Sequence, residues 1–312
     1  MRLRVIPLGT SAGKPTLLRG ASALAVVAES GWAMCDCGEG AQLAAQRAGL
    51  SLARLDAVLI THLHGDHFNG LPGLLGSLGL DGRQRPLLVT GPKGIVETLE
   101  LLGRVGALGL GELPVTVVEL EGAGGDLPWK HGHTDWRLSA RPLDHRAPTF
   151  GYRVALPDRP GALDVRAADA AGVPRGPLLA ELKAGRAVRL ADGREIRPEG
   201  LVGPGQRGLC VAYTLDTVPC AEAVALGRGA DLLVHEATYE HARAALARER
   251  GHSSGVEAAQ IAREAGARRL LLTHFSPSVE AEEVADEARA VFAQTVAARD
   301  GEELPVTPEP ST

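Results

Sequence analysis

The sequence predicts a mixed α/β fold built in layers and interrupted by one inserted arm. Three observations lead there. Short apolar runs of strand character alternate with helical stretches along most of the 312 residues. Several of those runs stop at a polar, ligand-type residue, as strands do when their ends share one functional rim. Residues 153–208 break the pattern with a stretch rich in Gly, Pro and Arg.

Taken in order, residues 2–8 read as a strand. Leu24–Glu29 and Ala33–Asp36 read as two more, joined by a Ser30-Gly31 turn. Gln42–Ala48 is a short helix, and Ala57–Ile60 a buried strand that runs into a histidine cluster. Leu87–Thr90 is a strand, Gly94–Leu102 a helix, and Val115–Leu120 and Arg137–Pro142 are strands. The arm holds a helical piece, Pro177–Ala184, and a strand-turn-strand around Asp192-Gly193. Beyond it come the strand Leu209–Thr214, the helix Cys220–Gly227, the strand Asp231–His235 and the helix Tyr239–Arg250. The helix Ser254–Ala265, the strand Arg269–Thr273 and a last helix Val279–Gln294 follow. The polar, Pro-bearing stretch Arg299–Thr312 reads as disordered. The expected domains are a core of residues 1–152 and 209–298, an arm of 153–208 and a tail of 299–312.

Composition narrows the function. Apolar residues make up 45% of the chain and aromatics only 3%, so a sizeable core is built from Ala, Val, Leu and Ile. The formal net charge of −5 excludes a uniformly basic nucleic-acid binder but not a local basic patch. The arm is such a candidate, with ten Arg and Lys against seven Asp and Glu. No apolar run reaches the roughly 18–20 residues of a membrane span. The N-terminal MRLRVIPLGT meets turn residues too early for a secretory signal, so a cytoplasmic location is expected. Cys35, Cys37, Cys210 and Cys220 are too few for a disulfide scaffold and read as packed thiols.

The chemistry concentrates in ITHLHGDHFNGLPGLL, residues 60–75. His62 and His64 stand at i, i+2 just past a strand, so extended backbone points both imidazoles to one side. Gly65 lets the chain turn and sends Asp66 and His67 to a neighbouring point. Imidazole with carboxylate suits zinc or a similar divalent ion. Four ligands are too few for two ions, so others must come from downstream. His145, Asp216, His235 and His274 each end or follow an apolar run and are candidates. His131 and His133 share the H-x-H spacing but lack the following Asp-His, and they read as surface residues in a Gly-rich loop.

THLHGDH resembles the T/S-H-x-H-x-D-H signature of the metallo-β-lactamase superfamily, and the whole of residues 60–75 is similar to the ribonuclease Z family of tRNA 3′-processing endonucleases. LGTSAGKPT, DCGEGAQ, LDHRAPTFGYR, GVPRGPLLAELKAG, DTVPC, HEATY, GHSS and LTHFSP extend the resemblance to about residue 295. It implies a four-layer αβ/βα sandwich with metals at one rim and two divalent ions, zinc foremost. His62, His64 and His145 would take one ion and Asp66, His67 and His274 the other, with Asp216 between them. Asp66 would also act as base or orienter of the attacking water. His252 would serve the leaving 3′-oxygen as general acid, held by Glu236. The arm would grip precursor tRNA, with Arg175, Lys183 and Arg186 as contacts, and Arg19 would touch substrate near the cut. A homodimer is implied as well.

Two departures from the family pattern stand out. The Pro-x-Lys-x-Arg-Asn loop keeps Pro15 and Arg19 but has Leu17 and Gly20 at the Lys and Asn positions, with Lys14 the nearest substitute cation. Leu215 replaces the Gly usual before Asp216. Two other readings remain open at this point. One is a phosphodiesterase or other hydrolase of small substrates, which the altered loop favours. The other is a metal-bound RNA-binding protein without turnover, against which the complete ligand set argues.

Overall fold

Near-continuous apolar runs form strands that are covered on both faces. In the first sheet β1 (Leu3–Gly9), β2 (Ala23–Ala28), β3 (Trp32–Cys35), β4 (Leu55–Leu59), β5 (Leu87–Pro92) and β6 (Val115–Leu120) lie side by side in chain order. The computed structural model describes residues 2–109, 111–129 and 132–307. The first three strands pair antiparallel and the last four parallel. Parallel pairing needs crossovers. They are supplied by α1 (Ala41–Arg47), by α2 (Gly65–Phe68) with α3 (Leu71–Leu80), and by α4 (Ile95–Arg104).

The alternation along each strand sorts residues to two cores. Ala23, Ala25 and Val27 of β2 join Ala41, Leu71, Leu74, Leu75 and Ile95 on the helix side. Leu24 and Val26 point the other way and are equally buried, 2% and 0% exposed. Shortening Leu74, which is fully buried, to Ala is expected to cost about 2–5 kcal/mol. A urea denaturation midpoint that does not fall would contradict this packing.

Before the arm come β7 (Gly125–Asp126), β8 (Arg137–Leu143) and β9 (Thr149–Ala155). Inside the arm are α5 (Val165–Ala170), α6 (Pro177–Lys183) and the hairpin β10 (Val188–Arg189) and β11 (Glu195–Ile196). After it come β12 (Cys210–Thr214), α7 (Ala221–Gly227), β13 (Leu232–Glu236), α8 (Ala244–Glu249), α9 (Gly255–Ala265), β14 (Leu270–Thr273), α10 (Ala281–Arg289), β15 (Thr295–Ala297) and β16 (Leu304–Val306). The second sheet runs β15-β14-β13-β12-β9-β8-β7, parallel from β15 to β12 and antiparallel beyond. Helices α7, α9 and α10 cover its outer face through Ala223, Leu226, Ala258, Ile261, Val284 and Ala288. The two sheets meet through direct bonds. The Tyr152 hydroxyl donates to the Ile60 carbonyl at 2.6 Å, and the Phe150 N–H to that of Thr61 at 3.0 Å. The order is thus helices, sheet, sheet, helices, the αβ/βα sandwich of the metallo-β-lactamase fold. Among the described residues no helix is long and apolar enough to cross a membrane.

The arm is a compact unit of its own, Leu156–Gly208. Ala168, Val173, Leu182, Val188 and Leu190 form its small core. It begins three residues later than the sequence suggests, because Arg153–Ala155 continue β9 and pair with β12. Several of its cations face its own acids. Arg175 pairs with Asp169 at 3.3 Å, Arg186 with Glu181 and Arg194 with Asp192 at 2.7 Å, whereas Lys183 is exposed and has no ion pair among the described residues.

Four expectations need correcting. The stretch after residue 298 is ordered to Thr307: β16 adds to the free edge of β1, and Asp300 accepts from Thr10 Oγ1 at 2.7 Å and the Gly20 N–H at 2.6 Å. The final helix stops at Arg289, because the chain must reach the edge of β14 and form β15. The helix expected over Tyr239–Arg250 covers only Ala244–Glu249 after a single 3₁₀ turn, since Tyr239 bridges to Ser254. His133 is no free surface residue. Its N–H and Nδ1 bond to the buried carboxylate of Asp56 at 2.8 and 3.0 Å, together with Trp136 Nε1 at 3.0 Å. His131 lies outside the described residues.

Candidate metal centre

The carboxyl ends of β3, β4, β12, β13 and β14 converge on one rim, where parallel sheets usually carry their sites. Each strand delivers a residue: Asp36 after β3, His62 after β4, Asp216 after β12, Glu236 at the end of β13 and His274 after β14. Asp36, Asp216 and His274 hold φ of 56°, 51° and 58°, the left-handed region that non-glycine residues seldom enter. His64 is the residue preceding α2, and the helical turn of α2 brings Asp66 and His67 round to a second point. The turn is held by Gly70, whose N–H donates to the Cys37 carbonyl at 2.8 Å. A Cβ there would lie 2.2 Å from the Gly38 carbonyl oxygen, so only glycine fits.

The ligand-type atoms form two adjoining groups, and a third set, Asp216, His252 and His274, overlaps them. His62, His64, His145 and Asp216 each offer one atom within 4.8 Å of the others, and so do Asp66, His67 and His274. Asp216 faces both groups. Its Oδ2 is 3.6 Å from His62 Nε2 and 3.9 Å from His145 Nε2, while its Oδ1 is 3.5 Å from His67 Nε2 and 3.2 Å from His274 Nε2. Asp66 Oδ2 is 3.4 Å from His67 Nε2 and 3.5 Å from His274 Nε2. His145 Nε2 and Asp216 Oδ1 are buried without a hydrogen-bond partner. Such orphaned atoms are costly unless something such as a cation satisfies them. Two divalent ions fit this donor set of imidazoles and carboxylates.

The electrostatics agree with that fit at His62, His145 and Asp66, whereas at His67 burial opposes charge but Asp216 and Asp36 raise the imidazole well above its ordinary range. Burial, reinforced by the neighbouring imidazoles, pushes the His62 pKa far down, and burial also lowers that of His145, so both rings stay neutral and able to ligate. Burial works against the Asp66 carboxylate, but hydrogen bonds from His274 and His67 hold it well below the usual range. The other ring nitrogens are fixed by the protein. His145 Nδ1 bonds to the Gly251 carbonyl at 2.8 Å, His67 Nδ1 to Asp36 Oδ2 at 2.8 Å, and His274 Nδ1 to Thr238 Oγ1 at 3.1 Å. Each bond sets the tautomer that leaves Nε2 free toward the centre.

Beside the two groups, Glu236 lies fully buried and accepts four bonds. The Thr217 N–H (2.7 Å) and His252 Nδ1 (3.1 Å) meet Oε1, and Thr238 Oγ1 (2.6 Å) and the Ser253 N–H (3.1 Å) meet Oε2. Burial favours the neutral acid, yet His252 and these donors bring its pKa down to about 2. Burial likewise opposes charge on His252, but Glu236 overrides it and raises the imidazole to about 9. His252 and Glu236 therefore form an ion pair at neutral pH. His252 lies 5.3 Å from the His145 ring and 5.5 Å from that of His274, on the wall of an open cleft of about 800 Å³.

Sequence reasoning missed Asp36 and Thr238 as functional supports. Asp36 takes 2.7 and 2.9 Å bonds from Thr61 N and Oγ1, a 3.0 Å bond from the Tyr213 hydroxyl, and the His67 contact. The available signal was chemical: a ligating histidine needs an acceptor for its second nitrogen. Arg19 is placed differently from expectation. Its guanidinium is directed at the Val279 carbonyl at 3.3 Å and stands over the Phe275 ring at 5.4 Å, so it braces the loop after β1 rather than reaching into the cleft. Leu17 and Leu18 in that loop are fully exposed. Arg175, Lys183 and Arg186 all lie in the arm.

Histidines and aspartates grouped at the rim of an αβ/βα sandwich define a hydrolase class whose site is compatible with divalent metal. A profile of the metallo-beta-lactamase superfamily matches residues 17–139. The chain is 43% identical to the ribonuclease Z of Synechococcus sp. (strain WH7803), over 98% of this chain and 97% of that one. It is 44% identical to the ribonuclease Z of Salinibacter ruber, over 94% and 91%. Human tRNase Z, short form, superposes with a TM-score of 0.69 at 26% identity, over 97% and 99% of the two chains. The chain belongs to the ribonuclease Z family.

Proposed function

We propose that this protein is a zinc-dependent endoribonuclease that cuts precursor tRNA at its 3′ end, leaving a tRNA 3′-hydroxyl and a 5′-phosphorylated trailer. Its family membership makes it a phosphodiester hydrolase. The observation that carries the finer reading is the 3.1 Å bond between His252 Nδ1 and the buried carboxylate of Glu236, beside the adjoining ligand groups. His62, His64 and His145 would hold one ion, Asp66, His67 and His274 the second, and Asp216 both. When bound, such ions lower the pKa of a shared water and stabilise charge on the phosphoryl oxygens.

The chain's own groups supply the rest. Asp66, its carboxylate fixed by the Gly13 N–H at 2.7 Å, orients the attacking water. His252 gives its proton to the departing 3′-oxygen through Nε2, because Nδ1 is committed to Glu236. Asp36, Thr238 and the Gly251 carbonyl keep the ligating imidazoles in the required tautomer. The arm, through Arg175, Lys183 and Arg186, would grip tRNA, which lets a net-acidic protein bind RNA. The reading extends, on family resemblance, to a homodimer in the cytoplasm.

The test uses precursor tRNA and bis-p-nitrophenyl phosphate, each with and without chelator. Cleavage at the discriminator base that chelator abolishes is the expected result. Turnover of the small ester alone would sink the tRNA reading in favour of a general phosphodiesterase, and RNA binding with neither substrate cut would favour a binding protein. Deleting residues 160–205 is expected to abolish tRNA cleavage while the ester is still hydrolysed. Equal loss of both activities would refute the arm's assigned role.

A further inference from the structure

The cleft carries cations that the chemistry at its floor does not use. Lys14, Arg146 and Arg250 line it, and among the described residues its only acidic lining residues are Asp66 and Asp216 of the ligand groups. Lys14 and Arg146 are exposed and have no ion pair among the described residues.

Their places follow from the backbone. The Gly13 N–H bonds to Asp66, so Lys14 leaves the chain beside the Asp66, His67 and His274 group. Arg146 directly follows His145 of the other group. It lies against Gly251: a Cβ on that glycine would be 3.0 Å from Arg146 Cγ and 2.8 Å from His145 Nδ1. Gly251 (φ 81°) is flanked in the chain by Arg250 and His252. Arg250 is steadied by its 2.9 Å bond to the hydroxyl of Tyr239, a side chain only 5% exposed. One cation thus stands by one ligand group, and two stand by the other and the proton donor.

We infer that Lys14 on one side, and Arg146 with Arg250 on the other, hold the phosphates that flank the scissile phosphodiester of a single-stranded RNA segment crossing the cleft. The inference rests on the reading of the substrate as RNA. A polynucleotide presents a charge at every linkage, so it meets these cations as well as the metal floor. A simple diester brings a single phosphate. Guanidinium and ammonium groups without carboxylate partners are free to take phosphate oxygens. These rim contacts also account for binding close to the cut with Arg19 committed elsewhere.

The experiment measures the anisotropy of a labelled short oligoribonucleotide, protected by phosphorothioate linkages, on the full metal-loaded chain across a salt series. Lys14→Gln and Arg146→Gln are each expected to reduce the slope of log Kd against log salt by about 0.7, and the double variant by about twice that. Arg104→Gln, an exposed position on α4 outside the cleft, serves as the control with an unchanged slope. Metal content is measured on every variant, so that a lost ion is not mistaken for a lost contact. Unchanged slopes in both rim variants, with wild type still cutting precursor tRNA, would overturn the inference. If wild type cuts no precursor tRNA yet the slopes fall as stated, the substrate reading fails and the phosphate rim stands.

Discussion

Replacing His252 with Ala is expected to lower kcat for precursor tRNA by about 10²–10⁴-fold, the usual span for a lost general acid. The loss should depend on the leaving group. A ribose 3′-oxygen departs poorly without a proton, whereas p-nitrophenolate departs as a stable anion. The same variant should therefore lose much less on bis-p-nitrophenyl phosphate. Equal losses on both substrates would show that His252 supports the site rather than donating a proton.

The pH profile offers a second check. The folded His252 pKa, about 9, lies above the ordinary imidazole value of 6.5, so the donor form persists through neutrality and is lost as pH rises through about 9. Bound cations oppose the imidazolium, so in the loaded enzyme the falling limb should lie no higher than that. For stability the signs are opposite at the two ends of the pair. The His252 contribution is full below about 6.5 and lost as pH rises through about 9. That of Glu236 is full above about 4.5 and lost as pH falls through about 2.

The second large effect is expected at Asp36. Its carboxylate is fully buried and receives Thr61, Tyr213 and His67. Asp36→Ala leaves those donors without an acceptor, with an expected cost of about 3–5 kcal/mol, as for other broken buried ionic pairs. It also frees the His67 ring to turn, which should weaken binding at the Asp66, His67 and His274 group about 10–100-fold. Asp36→Asn separates the two effects. Its size is retained, but in either orientation its NH2 meets donors where a carboxylate oxygen accepted. Denaturation and zinc titration measure them independently. If Asp36→Ala binds two ions with wild-type affinity, Asp36 has no role in orienting His67.

The ligands could be read from the sequence because the motif is local: six residues around one glycine carry four of them. The strand-exit rule offered four further candidates, His145, Asp216, His235 and His274, and the resemblance picked out His145, Asp216 and His274. Asp36 was hidden because it serves His67 from 31 positions away, and its own surroundings in the chain suggest only a strand end. His133 looked exposed because its loop is Gly-rich, while its partner Asp56 sits in an apolar strand. Residues Thr295–Ala297 and Leu304–Val306 are too short and mixed to show strand periodicity. They are strands because the edges of β14 and β1 offer unpaired backbone groups. The arm was legible by composition, but the pairing of its arginines with its own acids was not.

The left-handed backbone at Asp36, Asp216 and His274 bears on engineering. Each such residue costs on the order of 1–3 kcal/mol, and glycine would take the same angles without strain. A library screened for heat resistance alone would therefore drift toward glycine at Asp216, whose buried Oδ1 has no hydrogen-bond partner, but not at Asp36, where the lost acceptor outweighs the relief. Such survivors would be sturdier, but the substitution that relaxes the backbone also deletes a candidate metal ligand. Any thermostabilisation of this enzyme should hold these three residues fixed, or select for turnover alongside melting temperature.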